Sequence, residues 1–210
     1  MGLSHQAGWF SRGYLPHFDG KHTLQFITFR LDDAIPKDAL ARLQRQLAQL
    51  PPQMQARQRR SRLEQWQDAG YGCCALAHPQ VAAVMQEGLL RFDGQRYRLI
   101  AWCIMPNHVH VLIEQQASLP KIVQSWKSYT GRFMQAQNEA LGLGVPGTRA
   151  WCHDYWDRYI RDHRHFQASV EYIHNNPVKA GLCPSPTQWP WSSAAWERAA
   201  PWDRAALAAH

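Results

Sequence analysis

The sequence predicts a two-layer α+β domain built around an antiparallel sheet, and three observations carry that prediction. Strand-like and helix-like segments interleave along the chain. Residues 96–105 and 108–114 both read as strands, and only Pro106-Asn107 separates them, so they form a hairpin and pair antiparallel. Hydrophobic residues make up 45% of the 210 positions, enough for one real core and too many for a disordered chain.

The elements follow in order. Residues 11–21, with Gly13, Tyr14, Pro16, His17 and Gly20, read as an irregular arm. Leu24-Gln25-Phe26-Ile27-Thr28-Phe29-Arg30 is rich in β-branched and aromatic residues and reads as a strand. Pro36 opens a helix over 37–50 with Leu40, Leu43, Leu47 and Leu50 on one face. Pro51-Pro52 breaks it, and helix resumes over 53–68. That helix carries Arg57, Arg59, Arg60 and Arg62, either a phosphate-contacting run or a solvated face. A third helix spans about 79–90, and Phe92-Asp93-Gly94-Gln95 turns the chain into the hairpin. A long helix covers roughly 119–140 and a flexible loop 142–147. Residues 151–160 read as loop and then a short strand, and 162–175 as a helix that Pro177 ends. This organisation divides the chain into an arm, 1–22, a main domain, 23–195, and a tail, 196–210.

Composition narrows the function. The net charge of +7 and a pI near 9.4 favour a polyanionic partner, with nucleic acid first. Ten Trp and seven Tyr are materials for stacking on bases, although most Trp are expected in the core. The five cysteines, Cys73, Cys74, Cys103, Cys152 and Cys183, show no CxxC spacing, which argues against a disulfide framework or a cysteine zinc site and suits a reducing cytoplasm. Residues 1–20 lack the apolar stretch of a signal peptide, and no run approaches a membrane span. A cytoplasmic protein without membrane contact is expected.

The most informative stretch is His108-Val109-His110-Val111-Leu112-Ile113-Glu114. On a strand, Val109, Val111 and Ile113 point one way and His108 and His110 the other. Two imidazoles at i and i+2 can converge on one divalent ion, leaving the open coordination that catalysis requires. Two polar histidines on a sheet surface are the alternative. The late helix carries Tyr172 and Asn176 at i and i+4, on one face. A tyrosine hydroxyl can attack phosphorus, and an asparagine carbonyl suits a hard cation. A packed Tyr and an Asn stopping the helix before Pro177 are the alternative, and Tyr129 and Tyr159 compete as nucleophiles.

Met105-Pro106-Asn107-His108-Val109-His110-Val111-Leu112, followed by Tyr172-Ile173-His174-Asn175-Asn176-Pro177-Val178-Lys179-Ala180-Gly181-Leu182, resembles the REP-associated tyrosine transposases of the HUH single-tyrosine superfamily. Further matching blocks are Gly13-Tyr14-Leu15-Pro16-His17-Phe18-Asp19, Ser125-Trp126-Lys127-Ser128, Tyr155-Trp156-Asp157-Arg158-Tyr159-Ile160-Arg161-Asp162 and Trp189-Pro190-Trp191-Ser192-Ser193. The resemblance implies a ferredoxin-like two-layer α+β fold with a central antiparallel sheet and helices on one side. It implies Tyr172 as the catalytic tyrosine, His108, His110 and Asn176 as ligands, and Mg²⁺ or Mn²⁺ as the metal. It implies single-stranded or hairpin DNA of repetitive extragenic palindromes as substrate, with a flanking tetranucleotide (typically GTAG), in a bacterial, nucleoid-associated setting. A monomer is expected over a dimer. Insertion-sequence relatives often carry Gln where this chain has Asn176, so the shorter side chain requires the helix to sit closer to the sheet.

The expected activity is metal-dependent cleavage and rejoining of single-stranded DNA through a 5′-phosphotyrosine. The chain has no P-loop, consistent with a covalent link that conserves phosphodiester energy. Arg12, Tyr14, His17 and Phe18 of the arm are candidate readers of single-stranded bases, and folding of the arm against the domain is the alternative. Lys127 is a candidate phosphate contact, with a surface lysine as the alternative. Two rival functions remain at this level: a hairpin-binding protein that does not cut, and a metal-dependent hydrolase with a water nucleophile. A histidine-triad enzyme would place a third histidine at position 112, which is Leu.

Overall fold

The computed structural model describes residues 22–196, together with the backbone of 8–11 and 16–19. Its element order is β1 (Gly8–Ser11), β2 (Pro16–Asp19), β3 (Leu24–Arg30), α1 (Lys37–Leu47), α2 (Pro52–Asp68), α3 (Pro79–Leu90), β4 (Tyr97–Ile104), β5 (His108–Gln115), α4 (Leu119–Gln137), β6 (Trp156–Tyr159) and α5 (His163–Lys179). Strands β3 to β6 form one antiparallel sheet in the order β4-β5-β3-β6. With α3 between β3 and β4 and α4 between β5 and β6, this is a βαββαβ domain of ferredoxin-like order.

Alternation along the strands sorts the core into two layers. Ile27, Phe29, Val109, Val111 and Ile113 share one cluster with Val81, Met85 and Leu89 of α3 and Ile122 and Trp126 of α4. Phe26, Ala101, Cys103 and Leu112 form a second cluster with Phe166 and Ile173 of α5. The expectation of helices on one side therefore holds for the crossover helices α3 and α4 alone. Helix α5 covers the opposite face, because Phe26 of β3 and Leu112 of β5 give that face an apolar patch of its own. In β4 the phase changes partway: register shifts between Leu99 and Ala101, so Ile100 is a bulge residue. Tyr97 and Leu99 thus pack on the α3/α4 side, whereas Ala101 and Cys103 pack under α5.

Helix α5 does not stop at Asn175 as the sequence suggests. It passes through Pro177 and ends in a cap at Gly181, whose φ is +70°. Gly181 N–H donates to Val178 O and Leu182 N–H to Pro177 O, which satisfies the last carbonyls. Only the bond from position 177 to Ile173 O is lost, a tolerable deficit one turn from the end. At the other end, Asp162 accepts from His165 N–H at 2.7 Å and caps the helix.

The segment 189–193 fastens this helix to the sheet. Ile104 N–H donates to Trp191 O, Trp189 Nε1–H to Ile104 O, and Trp102 N–H to Ser193 Oγ, so the exposed edge of β4 is occupied. Ser193 Oγ also meets His174 Nε2 at 2.8 Å, tying α5 to the same strap. The arm, expected to be irregular, contains an antiparallel two-stranded ribbon, β1–β2, with β2 alongside β6. Arg12 and Tyr14, and the side chains of His17 and Phe18, lie outside the described residues. So do the side chains of Arg57 and Arg60 and, in the tail, residues 197–210.

Candidate active site

Strand β5 places His108 and His110 on the face covered by α5, both almost fully buried. Their Nε2 atoms lie 3.0 Å apart. Each ring is held from behind through Nδ1. His108 Nδ1 contacts Asn107 Oδ1 at 2.8 Å, and the Asn107 amide nitrogen donates to Tyr71 O at 2.9 Å. A carbonyl oxygen only accepts, so the His108 proton sits on Nδ1 and Nε2 presents a lone pair. His110 Nδ1 meets Thr28 Oγ1 at 2.8 Å, across the Thr28–His110 register pair of β3 and β5. Burial pushes the His108 imidazole down to about 3, so the ring is neutral, as a ligand must be.

Helix α5 brings the third group. The Asn176 side chain is buried, and its amide meets His110 Nε2 at 3.2 Å. Asn176 Oδ1 is buried without a hydrogen-bond partner. Two imidazole nitrogens 3.0 Å apart with a buried amide against them form a polar cluster that a cation would satisfy once the amide oxygen is turned towards it. Two nitrogens bound at right angles to one ion by bonds of about 2.1 Å lie about 3.0 Å apart, the separation found. A half-turn of the Asn176 amide exchanges its nitrogen and oxygen and points the oxygen at the same place. Among the described residues no cluster of three His, Cys, Asp or Glu side chains exists, and the side chain that joins the two histidines is the Asn176 amide. The residues present therefore fit a divalent ion with two nitrogen donors, one oxygen donor and open positions.

One turn before Asn176 stands Tyr172, half-buried. Its ring packs edge-on against His110 at 5.3 Å and against Phe26 at 5.8 Å. Lys179, two turns further along the same stripe, places its Nζ 5.8 Å from that ring. The two competing tyrosines lie elsewhere. Tyr129 is on α4, near Gly88 and Arg91 across the sheet. Tyr159 pairs with Gln25, whose side chain belongs to the α3/α4 face. The structure thus brings His108, His110, Tyr172 and Asn176 together and leaves Tyr129 and Tyr159 out.

Lys127 occupies neither of its expected positions. It is buried beneath the loop before β6, donating to Cys152 O, His153 O and Asp154 O at 2.9, 3.2 and 2.9 Å. All three ammonium protons are committed to backbone, and burial lowers its pKa to about 8. It clamps the entry to β6 and does not face a DNA phosphate.

Thr28 and Asn107 are the residues that sequence reasoning passed over as positioning groups. Asn107 was legible in principle, being adjacent to His108; Thr28 required the strand register. Thr28→Val keeps the shape but leaves His110 Nδ1 without its partner, so Mn²⁺ affinity measured by calorimetric titration is expected to fall about 10–100-fold with the fold intact. The neutral state of His108 also has a pH signature. Its folded pKa, about 3, lies below the unfolded value of 6.5, so between these the unfolded chain holds more protons. Metal-free stability is expected to fall as pH drops from 6.5 towards 3 and to be insensitive to this group above 7. Urea titrations of wild type and His108→Asn should differ in pH slope by one proton in that window; equal slopes would remove the assignment.

The family model described as "Transposase IS200 like" matches residues 79–176, a segment holding His108, His110, Tyr172 and Asn176. The chain is 26% identical over 111 residues to a REP-associated tyrosine transposase of Escherichia coli K12, covering 52% of this chain and 62% of that one. A Haemophilus influenzae relative of the same family name is 26% identical over 103 residues, 46% of this chain and 58% of that one. The alignments thus span about 60% of the length of these relatives. A solved REP-associated tyrosine transposase, bound to a REP hairpin, superposes with a TM-score of 0.49 at 18% identity, over 87% of this chain and 82% of its own.

Proposed function

We propose that this chain, similar to the IS200-like transposases over residues 79–176 and to the REP-associated tyrosine transposases, cuts and rejoins single-stranded DNA at a hairpin with a divalent metal and a tyrosine nucleophile. One observation carries the reading: the buried Asn176 side-chain amide meets the facing Nε2 atoms of His108 and His110 one helical turn from Tyr172.

His108, His110 and Asn176 hold the ion, and the Nδ1 contacts to Asn107 and Thr28 keep both imidazoles aimed. The bound ion supplies positive charge at the scissile phosphate. Tyr172 attacks that phosphorus, losing its phenolic proton as the O–P bond forms. The bond to O3′ breaks, and the leaving oxygen takes up a proton, giving a 5′-phosphotyrosine and a free 3′-OH. That hydroxyl, or one on another strand, reverses the step. Packing of the Tyr172 ring against His110 fixes the nucleophile beside the phosphate and lowers the entropic part of the barrier.

The ion is Mg²⁺ or Mn²⁺. Two imidazole donors suit a transition ion better than Mg²⁺, so Mn²⁺ is expected to support the reaction at lower concentration. The enzyme is expected to act as a monomer. Among the described residues no helix is long and apolar enough to cross a membrane.

The test is a 5′- or 3′-labelled hairpin oligonucleotide carrying a GTAG-type single-stranded flank, incubated with protein and Mn²⁺. A denaturation-resistant protein–DNA adduct and a free 3′-OH fragment are expected. Cleavage without any adduct would establish a water nucleophile instead, and binding without cleavage a non-cutting hairpin protein.

A further inference from the structure

We propose that Arg30 is a phosphate-positioning residue of this site, gripping the DNA backbone one phosphate away from the scissile bond. The inference rests on reading the His108–His110–Asn176 centre as one that acts on DNA.

Arg30 is the direct register partner of His108 across β3 and β5. Opposed residues of an antiparallel pair project from the same face with Cβ atoms about 5 Å apart, so Arg30 emerges beside the metal cradle. Its placement is firm. Leu31 N–H donates to Asn107 O at 2.8 Å, and the side chain of the same Asn107 holds His108, so the end of β3 and the metal ligand share one anchor. Whereas His108 and His110 are sealed in, Arg30 is only half-buried.

Its guanidinium is poorly used by the protein. Among the described residues its hydrogen bond is a long one, 3.4 Å, to Leu31 O, and no carboxylate pairs with it. The nearby acids are engaged elsewhere: Asp32 with Arg149 at 3.1 Å and Asp33 with Cys73 N–H at 2.6 Å. A further cation, Lys127, stands close enough to Arg30 for the arginine to disfavour its charge. A half-buried guanidinium crowded by like charge and lacking an acid calls for an anion from outside the chain. Its planar fork matches the two free oxygens of a phosphodiester. The position beside His108 selects the occupant: a phosphate of the strand whose neighbouring phosphate lies in the metal cradle.

The probe is the hairpin oligonucleotide with a GTAG-type flank, read by fluorescence anisotropy in Mn²⁺ over a range of salt, with wild type, Arg30→Gln and Arg30→Lys. Arg30→Gln is expected to bind about tenfold more weakly near 0.1 M salt and to lose about 0.7 from the logarithmic salt slope, the share of one single-strand phosphate contact. Arg30→Lys should keep the slope. A second arm replaces single phosphates of the flank by uncharged methylphosphonates. At one position next to the scissile bond, wild type should lose affinity while Arg30→Gln loses none further. An unchanged slope in Arg30→Gln, or losses that add at every phosphate, would overturn the proposal. If Arg30→Gln does not fold, Arg30→Lys decides it, because a lysine cannot reproduce the bidentate grip and should show a smaller loss at that same phosphate; equal losses everywhere overturn it. A wild type that forms no adduct counts against the cleavage reaction, while slope and phosphate scan still decide Arg30.

Discussion

Tyr172→Phe is expected to eliminate the covalent protein–DNA adduct while leaving hairpin affinity and folding nearly unchanged. The substitution removes one oxygen and keeps the half-buried ring that packs edge-on against His110 and Phe26. Stability should change by less than about 1 kcal/mol, the range of a surface-adjacent change that opens no cavity. Loss of a nucleophile is all-or-none for the adduct, whereas a purely packing role for Tyr172 would leave the adduct in place. Tyr129→Phe and Tyr159→Phe are expected to react like wild type, because both residues lie across the sheet from the histidines. Denaturing gels of the labelled reaction read all three. An adduct from Tyr172→Phe that disappears in Tyr129→Phe would transfer the chemistry to the other face.

The second large effect is on the metal. Mn²⁺ at a hundred times its dissociation constant should stabilise the wild type by about 2.7 kcal/mol, which for a domain of this size is about 5–10 °C in melting temperature. His110→Ala should lose that rise and at least 100-fold in cleavage rate, since His110 contacts both partners of the triangle. It also gives up ring contacts with Phe26 and Tyr172, so some intrinsic stability goes with it. Asn176→Leu separates the two effects. It removes an orphaned carbonyl together with the amide contact to His110, so metal-free stability should change little while the Mn²⁺ response falls. Full cleavage in EDTA, or an unaltered Mn²⁺ response in His110→Ala, would remove the metal from the mechanism.

Much of the site was legible before folding because its parts obey local periodicities. Strand alternation alone sends His108 and His110 to one face and Val109 and Val111 to the other, and helical spacing alone puts Tyr172 and Asn176 on one stripe. Local rules also misled where backbone context overrides residue preference. Pro177 reads as a helix stop, yet the helix continues past it, since a cap built on Gly181 satisfies the end. Lys127 reads as a surface cation, yet three carbonyls of a loop distant in sequence surround it.

By itself the sequence determined the α+β class, the hairpin, the shared face of the two histidines and the shared stripe of the tyrosine and asparagine, all consequences of fixed residue periods over fewer than ten positions. Only the tertiary structure decided that these faces meet. Strand order, the bulge at Ile100 and the packing of α5 on the side opposite α3 and α4 depend on contacts between residues far apart in the chain, which no local period encodes. The same long-range register selected Tyr172 over Tyr129 and Tyr159, set Thr28 behind His110, and placed Arg30 beside His108.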